Sequence, residues 1–127
     1  MTFLLKRILA FLPGGILVTL STIAIKHEDK ERLILNSDGW LLEFNKASKL
    51  VSRSGTLVAS FEAILSVDVE HYVNGKRFER WVLNLTLQGG KKIFVGRSTD
   101  SAEVSIAAAH IADAVSKRVR AIEKVGF

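Results

Sequence analysis

The chain has 127 residues, enough for one modest core once an apolar N-terminal stretch is set aside, and too few for two folded domains. It has no cysteine, which excludes a disulfide framework, a thiolate nucleophile and cysteine-ligated zinc. The net charge of +5 comes from 18 Lys and Arg against 13 Asp and Glu, with the signs interspersed along the chain. A nucleic-acid binder usually carries a clustered basic stripe, so the pattern argues against nucleic acid and leaves an anionic membrane surface open.

Residues 8–25 read ILAFLPGGILVTLSTIAI, without a charge, between Lys6-Arg7 and KHEDKER. As a helix this stretch rises about 27 Å, the lower limit for crossing a bilayer. It is apolar on every face, which a half-buried soluble helix would not be. The expectation is an N-terminal apolar helix over 1–25 that meets membrane lipid through Ile8, Leu9, Phe11, Leu12, Ile16, Leu17, Val18, Leu20, Ile23 and Ile25. Pro13-Gly14-Gly15 would kink or break it, so a re-entrant segment and a core helix or hairpin stay open beside a spanning helix. A cleaved signal peptide, releasing a secreted or periplasmic domain, is a further reading, although Thr22-Ile23-Ala24 is a poor cleavage site. Basic residues nearly balance across the segment, so a domain on the cytoplasmic side of the inner membrane rests on prior expectation alone.

After a charged linker at 26–31, a domain is expected over 32–124. Short apolar runs recur there with turn signals between them, and none before Thr99 has helical periodicity. A strand over 32–36 ends at Ser37-Asp38-Gly39, a tight-hairpin signal. Trp40, Leu42 and Phe44 alternate on the next strand, 45–48 turns, and short strands follow at 50–53 and 56–61. Over 64–73, Leu65, Val67, Val69, His71 and Val73 share one face, and Ser66, Asp68 and Glu70 are expected on a solvated one. Asn74-Gly75 turns into 78–88, with Trp81, Leu83, Leu85 and Leu87 inward; Gly89-Gly90 leads to a last strand over 91–97.

At Thr99-Asp100 the period becomes helical, with either residue a plausible N-cap and Glu103 placed for a capping box. Val104, Ala108, Ile111, Val115, Val119 and Ile122 form one stripe, so an amphipathic helix is expected over about 100–124. The fold class is mainly β with a C-terminal helix.

Six or seven antiparallel strands and one C-terminal helix resemble the pleckstrin-homology-like (PH-like) superfold over about 31–120. Phe61-Glu62-Ala63-Ile64, Asn74-Gly75, Trp81-Val82-Leu83-Asn84-Leu85 and Gly89-Gly90-Lys91-Lys92 resemble the middle of small bacterial PH-like domains that follow membrane segments. The resemblance implies one bent antiparallel sheet or barrel capped by the helix, used for lipid binding, peptide binding or scaffolding. The tryptophan common in the C-terminal helix of eukaryotic PH domains is missing, which weakens any carry-over of phosphoinositide binding.

Groups for catalysis are not assembled by the sequence. Gly14-Gly15 and Gly89-Gly90 lack a phosphate-loop context, so no cofactor is expected. His27, His71 and His110 have no metal-ligand spacing. Ser101, His110 and Asp113 lack the turn and oxyanion site that a nucleophile requires. The basic hairpins remain: Lys46, Lys49, Arg53, Lys76 and Arg77 are candidate anionic-lipid contacts, provided the tips share a rim. The leading expectation is a non-enzymatic, membrane-associated binding or scaffold protein that engages a protein partner or self-associates. Direct lipid recognition is the alternative, and a small enzyme of unknown class is the third.

Overall fold

The computed structural model describes Phe11–Leu12, Ile16–Leu17, residues 23–74 and residues 78–126. The first two segments, β1 (Phe11–Leu12) and β2 (Ile16–Leu17), pair antiparallel on either side of Pro13-Gly14-Gly15. The helix expected over 1–25 lies mostly outside the described residues, and the parts of it that are described are strands. Ile23 and Ile25 belong to a further strand, and Ile8, Leu9, Val18 and Leu20 lie outside the described residues. Among the described residues no helix is long and apolar enough to cross a membrane.

Strands β3 (Ile23–Glu28), β4 (Arg32–Ser37), β5 (Trp40–Asn45), β6 (Leu50–Arg53) and β7 (Thr56–Ser60) form an antiparallel meander in chain order. The expected linker at 26–31 is therefore half strand, and Ile23 is buried in the core, so the domain begins before residue 32. At the β4–β5 turn Asp38 and Gly39 both take positive φ, 49° and 87°, the backbone that a two-residue hairpin with twisted flanks requires. A 3₁₀ turn, Phe61–Ala63, then leads into the second sheet, with the Ser60 hydroxyl accepting from the Ala63 N–H.

That sheet contains β8 (Ile64–Asn74), β9 (Phe78–Leu87) and β10 (Lys92–Ser98), followed by helix α1 (Ser101–Val115) and strand β11 (Arg118–Gly126). Its order is β10-β9-β8-β11, with β11 parallel to β8. Two sheets therefore replace the expected single bent sheet or barrel, and they do not close on one another. The C-terminal helix is confirmed but ends nine residues early. Ser116 takes left-handed φ (58°), and the Lys117 N–H bonds back to the Ala112 carbonyl at 3.1 Å, closing a helix-terminating loop. Val119 and Ile122, expected on the helical stripe, stand in β11 instead.

Helix α1 packs onto the inner faces of both sheets. Val104, Ala107, Ala108, Ile111 and Val115 meet a core that includes Leu33, Leu35, Leu42 and Phe44 from the first sheet and Val67, Leu83, Leu85 and Val95 from the second. Alanine at 107 and 108 lets the helix come close. Asp100 is the N-cap and accepts from the Ala102 N–H; Glu103 accepts from the Ile23 N–H at 3.3 Å, tying the helix start to β3. Beside Ile23 the sheets touch directly. The Ser37 hydroxyl donates to the Val95 carbonyl, and the Arg53 guanidinium donates to the Phe94 carbonyl at 3.0 Å while lying 4.3 Å over the Trp40 ring. Gly96 sits at this crossing, where a Cβ would fall 2.6 Å from Ile23 Cγ1.

Candidate functional site

Alternation along β8 sends Val67 and Val69 toward the helix and Ser66, Asp68, Glu70 and Tyr72 to the opposite face of the sheet. That face is not solvated as expected: Asp68 is 0% exposed and Glu70 2%. Neighbouring strands supply the cover. In the parallel register Arg120 stands opposite Asp68, and it grips both carboxylate oxygens, Nε to Oδ1 at 2.9 Å and Nη2 to Oδ2 at 2.8 Å. The Ser66 hydroxyl donates to Oδ1 at 2.8 Å, and the Thr86 hydroxyl of β9 donates to Oδ2. Glu70 accepts from Lys92 Nζ of β10 and from the Tyr72 hydroxyl, each at 2.8 Å, and from Asn84.

These bonds decide what the carboxylates can do. Burial pushes the Asp68 carboxyl up, but hydrogen bonds from Arg120, Thr86 and Ser66, with the Arg120 charge, outweigh it and hold the pKa at about 2. Glu70 is moved the same way: burial raises it, and Lys92, Tyr72 and Asn84 lower it further. The effect is mutual, since Glu70 raises both Lys92 and Tyr72, and Asp68 raises Arg120. A hydrolytic pair needs one carboxyl kept protonated to serve as acid. Asp68 and Glu70 instead stay ionised, with their oxygens occupied. Asp68 acts as a clamp that fixes the register of β11, because a slip of one residue would put Val119 or Ala121 opposite it, and Glu70 ties β8 to β9 and β10.

On the helix side of the same sheet, His71 stacks on Trp81 with ring centroids 4.5 Å apart and planes 3° from parallel. Its Nδ1 lies 2.7 Å from the Glu123 carboxylate and its Nε2 3.3 Å from that of Glu79. Because the two nitrogens point apart, the carboxylates do not converge with the ring on one point. Among the described residues no set of three His, Cys, Asp or Glu is arranged for a metal. His110 pairs with Glu28 at 2.5 Å and joins the helix to β3. Ser101 is nine residues away on the same helix, about 13 Å along its axis, too far to be activated by it.

Known proteins offer no template. No protein family, curated protein or solved structure matches the chain.

The predicted lipid-contact residues are dispersed. Lys46 donates to the Asp29 carbonyl at 2.7 Å and pairs with Glu28 at 3.6 Å, and Arg53 is committed to Phe94 and Trp40. Lys49 lines an open groove of about 650 Å³ at one end of the molecule, with Leu50, Phe61, Glu62, Val115 and Lys117. Lys76 and Arg77 lie outside the described residues. The strand end at Asn74, which leads to them, is ten residues along β8 from Ile64, roughly 33 Å, whereas the Phe61 N–H bonds to the Lys49 carbonyl beside Ile64. The two basic hairpins therefore spring from opposite ends of β8. Sequence reading missed Arg120, Lys92, Thr86 and Tyr72 as partners of Asp68 and Glu70. An arginine five residues past the helix, among other basic residues, carries no local sign of a carboxylate 52 residues earlier.

Proposed function

We propose that the protein is a non-enzymatic binding or scaffold module, held at a membrane by its N-terminal apolar segment and engaging a protein partner or a second copy of itself. The observation that carries this reading is β7, Thr-Leu-Val-Ala-Ser, an edge strand without charge or proline whose Leu57 is 57% exposed. Soluble proteins usually blunt such edges with lysine or proline; here the β6–β7 register shifts between Val51 and Ser52, but Thr56–Ser60 itself carries no charge, and an uncharged edge accepts a partner strand. The non-catalytic reading is supported by Asp68 and Glu70, whose oxygens are spent on internal donors. A PH-like core is supported by the order of elements: a four-strand meander (β4 to β7), a three-strand meander (β8 to β10) and then α1, with β3 and β11 as additions. With Ile23 and Ile25 in the domain, the uncharged stretch that remains, 8–22, would rise only about 22 Å even as a continuous helix, and Phe11–Leu12 and Ile16–Leu17 within it pair as strands, which favours a re-entrant or interfacial anchor over a spanning one.

The test is cross-linking in native membranes, followed by mass determination of the purified full-length protein. A homo- or hetero-complex is expected that Leu57→Lys weakens by roughly tenfold, while Lys49→Glu leaves it intact. A strictly monomeric chain with no cross-linked partner overturns the reading.

A further inference from the structure

The four-stranded sheet gathers charge that the sequence scatters. On the face that carries Asp68 and Glu70, pairing registers place Arg80 on β9, Lys92 and Arg97 on β10, and Arg118, Arg120 and Lys124 on β11. The carboxylates named on this face are the buried Asp68 and Glu70, already neutralised. Six cations against two carboxylates leave an excess of four, where the whole chain carries +5. One face of the sheet thus holds most of the net charge.

We propose that this face is the surface that lies against an anionic lipid bilayer, with Arg80, Arg118 and Lys124 meeting phosphate headgroups. The proposal rests on the membrane location argued above and replaces the hairpin tips as the lipid contact. Three observations carry it. The charge is complementary to an anionic leaflet and spread over an extended sheet rather than focused in a pocket. Arg80 and Arg118 are exposed, and Arg120 and Lys92 keep 40% and 43% of their side chains in solvent even while gripping the carboxylates. The same chain carries the uncharged stretch 8–22, which would hold the face at high effective concentration beside a bilayer. A single-stranded nucleic acid fits less well, because it needs open aromatic rings for base stacking. Tyr72 lies under Arg80 with its hydroxyl on Glu70, and Phe94 is half-buried.

The absence of cysteine permits a clean test with full-length protein reconstituted in phosphatidylcholine vesicles, with or without phosphatidylglycerol. A fluorophore is attached at Val82→Cys on the basic face or at Ser105→Cys on the helix, and quenching by a headgroup-bound nitroxide is read. The expected result is quenching at position 82 and not at 105, only with phosphatidylglycerol, fading as salt rises. Arg118→Glu with Lys124→Glu should lower the docked fraction at least about fivefold per cation, whereas Lys49→Glu with Lys117→Glu, the same change in net charge elsewhere, leaves it unchanged. Both pairs leave the Asp68 and Glu70 clamp intact, and a circular-dichroism spectrum checks the fold. Equal quenching at both labels, loss through the Lys49 pair, or release of the docked domain by an added oligonucleotide at constant ionic strength overturns the proposal. A chain that does not partition into vesicles at all overturns the membrane reading itself.

Discussion

At the scale of single residues, strand alternation was legible and its meaning was not. Ser66, Asp68 and Glu70 do share one face of β8, as their spacing requires, but alternation cannot tell a wet face from one roofed by arginine and lysine of other strands. The roof has a pH consequence. The folded Asp68 carboxyl sits at about 2 against an ordinary 3.8, and Glu70 is likewise lowered, so the folded state binds protons less readily than the unfolded chain. Their contribution is complete above the unfolded values and is lost as pH falls through the folded ones. The urea midpoint should hold steady down to about pH 5 and fall toward pH 2. Asp68→Asn should flatten that decline and cost about 2 kcal/mol at neutral pH, since its amide turns a donor toward Arg120 and Thr86. Asp29 is held at about 2 by His27 and the N–H groups of Glu31 and Arg32 and titrates in the same window, so Asp29→Asn is the control. A second residue-scale outcome concerns Gly96: an alanine there crowds Ile23 and the Ser37 hydroxyl and should destabilise by about 1–3 kcal/mol, seen as a lower midpoint with an unchanged slope.

At the scale of elements, the strands β4 to β10 were readable because each is bracketed by local turn chemistry such as Asp38-Gly39, Ser54-Gly55 and Gly89-Gly90. The end of α1 was not readable, for a physical reason. Val115, Val119 and Ile122 fit a helical stripe, no glycine or proline marks a stop, and the cations at 117, 118 and 120 suit a helix C-terminus as well as a strand. What breaks the helix is non-local: parallel pairing with β8 and the ion pair to Asp68 reward an extended chain after Ser116 more than further helical turns would. The helix stops on a serine in the left-handed region, a conformation that glycine adopts at less cost. Ser116→Gly should therefore stabilise the domain by about 0.5–1 kcal/mol, raising the thermal midpoint. A fall in the midpoint would show that the chain does not turn there.

At the scale of the whole molecule, the last strand decides whether the second sheet is finished. Strand β8 carries two buried carboxylates and lies between β9 and β11; without β11 it becomes an open edge with Asp68 stripped of its counter-ion. An edge of that kind both destabilises the sheet and invites pairing with other chains, and the charges on β11 are what natural edges use to prevent it. Ending the chain after Lys117 should thus cost far more than trimming a helix tip. The expected outcome is loss of cooperative urea unfolding together with aggregation. Arg120→Ala in the full chain should give a milder version, with lowered stability and retained cooperativity, because nine registered residue pairs with β8 remain. If residues 118–126 were a dispensable tail, the shortened chain would unfold at the same urea concentration as the intact one. That comparison separates a structural strand from a passive extension. It also tests the assembly of the basic face, since three of its six cations arrive with β11.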